Sequence, residues 1–257
     1  MLATKWMATD SLSYFKFIQS LIACNFVLNE IDNTEENRLM ALMLYYDFYQ
    51  ASTDTMTLEK AIKDIGKNKS LVAEMAEFID VKIDQVGFEE IPCADLGFAF
   101  PLKIHARYTR DQILVALGIT TFDKKSSNRE GTALNKELNT EALFINLLKS
   151  EEDFSPTTMY DDYAINEDLF HWQSQNQTTP HSDKGKAYIQ QNELKRNILL
   201  FIRESNKDAH GFTQGYVFVG PAHFVEYKGA KPMSITWQLE EPIPEYIWTA
   251  SAKMAVG

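Results

Sequence analysis

The hydrophobic pattern of the chain changes period once, near Glu141, and that change limits the fold more than any other feature. Before it, apolar residues recur at the three- and four-residue spacing of a helical face; after it they gather in short runs between turn residues. From Asp10 to about Asn29, Tyr14, Phe15, Ile18, Leu21, Ile22 and Phe26 share one face, and Asp10 or Ser11 can cap the start. A second helix follows Asn33 or Thr34 and carries Leu39, Leu42, Met43, Tyr46 and Tyr49. Thr57 starts a shorter one that Gly66 should end, and Ser70 opens a fourth with Leu71, Val72, Met75, Phe78 and Ile79. Residues 1–85 therefore read as a helical bundle.

Between Val86 and Leu102, Gly87, Pro92, Gly97 and Pro101 interrupt any helical period, which marks a linker. Thr109 then caps a short helix, Arg110 to Leu117, closed by Gly118, so residues 86–120 read as linker and short helix. From there to Thr140 the chain is polar and basic and is expected to form a loop. Strand-like runs follow at Leu143 to Leu148, Tyr160 to Ile165, Leu169 to Gln175, Asn197 to Arg203, Tyr216 to Val219, His223 to Tyr227 and Ser234 to Leu239. Gly215, Gly220-Pro221, Lys228-Gly229 and Pro232 break the later runs at intervals suited to a compact barrel or sandwich. Gly185 to Gln191 adds a short helix. The fold class is α+β, with the β part over residues 121–257.

No run of about 18 apolar residues is present, and the N-terminus lacks the basic and apolar regions of a signal peptide. A cytoplasmic, soluble chain with no membrane partner is expected. Cys24 and Cys93 lie far apart with no second ligand at metal spacing, so buried free thiols are expected rather than a disulfide or zinc site. The net charge of −11 argues against nucleic acid. Its distribution weakens that objection: residues 1–100 hold 8 basic and 16 acidic side chains, the remainder 17 and 20. Lys124, Lys125, Arg129 and Lys136 form one basic cluster, and Lys184, Lys186, Lys195 and Arg196 another. Of these, Lys124, Lys125, Arg129, Lys184 and Lys186 are the candidate contacts to a DNA backbone.

The most unusual composition lies at Phe170-His171-Trp172-Gln173-Ser174-Gln175-Asn176-Gln177. Read as a strand, it sends Phe170, Trp172 and Ser174 to one face and His171, Gln173 and Gln175 to the other. The amides can read a ligand's donors and acceptors but carry no nucleophilic or redox power. Upstream, Tyr160-Asp161-Asp162-Tyr163 places two aromatics around a carboxylate pair. Adjacent strand residues point apart, so the two acids suit a shared metal poorly. One carboxylate could instead accept from an exocyclic amine such as cytosine N4, with Tyr160 or Tyr163 stacked on the base. His171 has no partner at ligand spacing. Phe170, Trp172 and Trp237 also suit a plain core. Gly66-Lys67-Asn68-Lys69-Ser70 lacks the spacing of a phosphate loop, and no GxGxxG, GxSxG, HExxH or CxxC motif occurs.

The run from Ser155 to Gln177, together with Pro232-Met233-Ser234-Ile235-Thr236-Trp237, resembles the C-terminal domain of SauUSI-like modification-dependent (type IV) restriction enzymes. In those proteins it follows a phospholipase-D-like nuclease and a helicase, whose motifs are missing from this chain. The resemblance implies an SRA/PUA-like β-barrel over residues 121–257 that recognises 5-methylcytosine or 5-hydroxymethylcytosine in double-stranded DNA by base flipping. It implies antiphage defence, partnership with the nuclease and helicase domains of a parent chain, and no catalysis or cofactor in this part. The pocket is assigned from residue chemistry to Tyr160, Asp161, Asp162, Tyr163, Phe170, Trp172, Gln173, Ser174 and Gln175. Two rivals stand beside it: a module that docks a helicase or a second protomer, and a hydrolase using the acidic pair. Homo-oligomeric assembly stays open.

Overall fold

The computed structural model describes residues 2–49, 51, 56–148 and 162–252. The chain divides into two compact units, Met1–Asn128 and Arg129–Gly257.

In the first unit five helices, α1 (Leu2–Met7), α2 (Leu12–Ala23), α3 (Glu35–Phe48), α4 (Leu58–Ile65) and α5 (Lys69–Gln85), precede the short strands β1 (Ile91–Pro92), β2 (Lys103–Ile104) and β3 (Arg107–Tyr108) and a sixth helix, α6 (Arg110–Ala116). Local chemistry starts most of them. Ser11, Thr34, Thr57 and Asn68 each accept from a first-turn amide of α2 to α5, satisfying a donor the helix cannot pair itself. Thr109 and Gln112 form a reciprocal capping box on α6. At the end of α4, a Cβ on Gly66 would stand 2.6 Å from the Phe26 ring, so the absence of a side chain lets the two segments meet. Residues 86–120 lie inside this unit: β1 pairs antiparallel with β2, and Leu102, Ile104, Ala106 and Tyr108 are buried. Cys24 and Cys93 form no disulfide and are half-buried rather than buried.

The second unit is built on a mixed sheet whose strands are β4 (Thr132–Asn135), β5 (Thr140–Asn146), β6 (Tyr163–Ala164), β7 (Leu169–Gln173), β8 (Asn197–Arg203), β9 (Tyr216–Lys228) and β10 (Ser234–Leu239). Their spatial order is β4-β5-β8-β9-β10-β7-β6, with β5 and β8 parallel and the other neighbours antiparallel. Among the described residues this path does not close, which corrects the expected barrel. Closure requires the first and last strands to pair in register. Here the ends are a four-residue and a two-residue strand. The sheet's core face is instead covered from above: Tyr188 of α7 (Asp183–Ile189) and Ile247 of α9 (Glu245–Ala252) join Leu143, Ile198, Leu200, Val219, Trp237, Phe170 and Trp172 in one apolar cluster. The four-residue α8 (Gln191–Leu194) ends at Lys195, whose left-handed backbone (φ 49°) turns the chain into β8.

Two strands read from sequence, 216–219 and 223–227, are one. Gly220 takes φ 111° at a register shift opposite Leu200 and Phe201, and this irregularity lets Pro221 stay in the strand although it has no amide hydrogen to contribute. No helix among the described residues is long and apolar enough to cross a membrane.

Candidate functional site

Strand β7 sorts the sequence-predicted residues onto two faces. Phe170 and Trp172 point into the core, where Trp172 meets the Tyr188 ring edge-on at 5.5 Å and Trp237 at 6.4 Å. Ser174 is fully buried and serves the backbone: its amide donates to the Met233 carbonyl and its hydroxyl accepts from the Met233 amide, both at 2.9 Å. On the other face, Tyr163 of β6 stacks on His171 with centroids 4.6 Å apart and planes within 14°. Asp162, buried at the entry to β6, accepts from the backbone N–H of Gln173 at 2.9 Å, tying β6 to the end of β7. Asp162, Tyr163, His171 and Gln173 thus converge at one corner of the sheet. Tyr160 and Asp161 lie outside the described residues.

Gln175 joins a different cluster. Its amide nitrogen donates to Glu130 at 3.3 Å, and its carbonyl accepts from Lys184 Nζ at 3.1 Å. Lys184 also donates to Thr132 Oγ1 at 2.8 Å and stands 3.5 Å from Glu141 Oε1, so its ammonium is turned into the protein. Glu141 is almost fully buried on the core face of β5. Tyr188 donates to its Oε1 at 3.0 Å, and burial together with the Glu141 charge pushes the Tyr188 phenol well above its ordinary range. Among the described residues Glu141 Oε2 makes no hydrogen bond and stands 3.7 Å from the Arg196 guanidinium; the buried Trp237 Nε1 makes none either. Sequence reasoning passed over Glu141 and Tyr188. The available signal was an acid inside the apolar run Thr140-Glu141-Ala142-Leu143-Phe144-Ile145, where an unpaired carboxylate would be costly.

The remaining predicted backbone contacts are dispersed. Lys124 is exposed in the first unit, as are Arg129 and Lys186 in the second. Lys125 pairs with Asp111 at 2.9 Å and lies over the Tyr46 ring at 5.4 Å. Among the described residues no group of three or more His, Cys, Asp or Glu side chains could hold a metal ion.

Residues 102–250 match the family model described as Domain of unknown function (DUF3427). The chain belongs to the DUF3427 family. The DUF3427 match begins one residue before β2 and takes in the whole described sheet of the second unit. No curated protein matches the chain. Among solved structures, two crystal structures of Arabidopsis thaliana SUVH6 in complex with SAM are similar to it. Form 2 has 13% identity and a TM-score of 0.37, and form 1 has 10% identity and a TM-score of 0.35. Each comparison covers 92% of this chain, which spans only 42% and 41% of the SUVH6 chains.

Proposed function

We propose that this DUF3427 chain recognises modified cytosine, 5-methylcytosine or 5-hydroxymethylcytosine, in double-stranded DNA. In this reading it is the non-catalytic specificity part of a cytoplasmic type IV restriction enzyme, with nuclease and helicase domains elsewhere in the parent chain. One observation carries the reading: Asp162, Tyr163, His171 and Gln173 meet at the β6–β7 corner. The stacked Tyr163 and His171 rings offer a flat surface to an extruded base, worth about 1 to 3 kcal/mol per base. Gln173 carries both a donor and an acceptor, and a carboxylate matches the cytosine N4 donor. Extrusion costs a few kcal/mol, which stacking and edge hydrogen bonds offset. The methyl itself contributes only about 0.8 kcal/mol, so discrimination also requires steric exclusion of the wrong size.

Fluorescence anisotropy of the chain against matched duplexes bearing cytosine, 5-methylcytosine or 5-hydroxymethylcytosine tests this. Preference for the modified duplexes is expected, with Tyr163→Ala weakening modified-duplex binding about tenfold, in line with a lost stacking surface. Equal affinity for all three duplexes would reduce the function to a general DNA clamp. No binding even at low salt would leave the docking of a helicase or second protomer as the better reading.

A further inference from the structure

The stack of Tyr163 on His171 runs across strands, and that decides where a further ring can go. Tyr163 and His171 are register partners on β6 and β7, and their ring centroids stand 4.6 Å apart, close to one strand spacing. The two rings therefore stand side by side on the sheet, with their flat faces turned along the line that leads from strand to strand. β7 lies between β6 and β10. The outer face of Tyr163 consequently looks past the last strand of the described sheet, and the outer face of His171 looks over β10.

Register identifies the residues beneath that second face. His171 pairs with Thr236 of β10, and Thr236 with Glu226 of β9, so Tyr163, His171, Thr236 and Glu226 make one row on the side of the sheet opposite Phe170, Trp172 and Trp237. Beside it, Gln173, Ser234 and Lys228 make a second row on the same side. Thr236 is short, so at this register β10 offers no ring or long chain to the outer face of His171. Two strand spacings, about 10 Å, separate His171 from Glu226. A ring in van der Waals contact on both faces takes up about 7 to 8 Å, so the space above Thr236 suits one planar ring and not two. The β9–β10 ladder shifts register just beyond Thr236, an irregularity of the kind that re-aims side chains beside binding sites. Gln173, Ser234 and Gln238, at the neighbouring positions of this face, are all half-buried and polar.

We propose that an extruded base seats in this slot, flat against the outer face of His171, with Thr236 as its floor and Glu226 as its far wall, and that Thr236 determines specificity. The assignment rests on the modified-cytosine reading and adds which of the two outer ring faces takes the base. Tyr163 then backs His171 without touching the base. The ring edge that points down meets the Thr236 methyl and hydroxyl, and the height of that floor limits which substituents fit.

The experiment compares the whole wild-type chain with Thr236→Phe and Thr236→Ser by fluorescence anisotropy on cytosine, 5-methylcytosine and 5-hydroxymethylcytosine duplexes, with the thermal midpoint of each protein. Phe is favoured in strands and places a ring of the protein's own where the base would stand. Thr236→Phe is expected to lower affinity for the 5-methylcytosine duplex about tenfold, the loss of one base stack, and to leave the cytosine duplex unchanged. Thr236→Ser lowers the floor by one methyl and is expected to shift relative affinity about fourfold toward the larger 5-hydroxymethyl base. Undiminished preference for 5-methylcytosine in a folded Thr236→Phe protein would overturn the slot and move the base to the outer face of Tyr163, with the modified-cytosine reading intact. Equal losses on all duplexes would overturn it too, because the change would then act on contacts that do not read the base. If Thr236→Phe does not fold, Thr236→Ser decides, and an unchanged ratio of the two modified bases overturns the slot. A wild type with equal affinity for all three duplexes would sink the reading and the slot together.

Discussion

Asp47 links stability to pH in the first unit. It sits fully inside the first unit, accepting from Trp6 Nε1 at 2.9 Å, Tyr14 Oη at 2.8 Å and Gln112 Nε2 at 3.3 Å, so one carboxylate joins α1, α2, α3 and α6. Burial nevertheless wins: it pushes the carboxyl from 3.8 up to about 6, against the pull of Tyr14, Trp6, Lys5 and Gln112. Because the folded value stands above the unfolded one, the native state binds the extra proton. This contribution to stability is full below about pH 4 and is lost as pH rises through about 6. Across that window the wild type should lose on the order of 2 to 3 kcal/mol relative to Asp47→Asn, whose own cost does not vary with pH. Urea denaturation of both proteins from acidic to neutral pH measures the difference; a flat difference curve would show that Asp47 does not titrate there. Nothing in the local sequence Tyr45-Tyr46-Asp47-Phe48 distinguishes this acid from a solvated one, because its three donors come from residues 33 to 65 positions away.

At the scale of elements, caps were legible and contacts between elements were not. Thr34, Thr57 and Thr109 act where expected because a cap bonds amides only three residues on. The helix read from Ser70 starts earlier, capped by Asn68, and α1, β4 and α9 went unread because each is short or lacks a clean period. Gly185 illustrates the opposite limit. Its φ is unremarkable for a helix, yet Thr179 and Met233 leave no room for a Cβ. Gly185→Ala should lower stability by about 1 to 3 kcal/mol, as overpacking does. A lower thermal midpoint with faster amide exchange in α7 would confirm it, whereas wild-type exchange would mean that the junction yields without cost.

At the scale of the whole molecule, the proposed function makes separate demands on affinity and on discrimination. The protein carries a net charge of −11, so under the proposed function duplex binding would depend on local basic groups and weaken steeply with salt. Under the same proposal, the preference for modified cytosine would rest on stacking and hydrogen bonds and should survive. Between about 50 and 200 mM salt the affinity is expected to fall severalfold for every phosphate contact pair, while the modified-to-unmodified ratio stays constant. A ratio that collapses with salt would place the discrimination in the electrostatic contacts instead. The sequence by itself determined the change from helices to strands, most helix starts and the placing of Phe170, Trp172 and Ser174 on one strand face, because periodicity and capping act within a few residues; that this face is the packed core and not a pocket was decided by the tertiary structure. Only the tertiary structure decided that the sheet stays open, that Lys184 turns to Glu141 while Lys186 stays exposed, and that Gln173, Ser234 and Lys228 form one row. Those outcomes depend on strand order and register between segments up to about 70 residues apart, which pairwise burial and backbone hydrogen bonding select and no local pattern encodes.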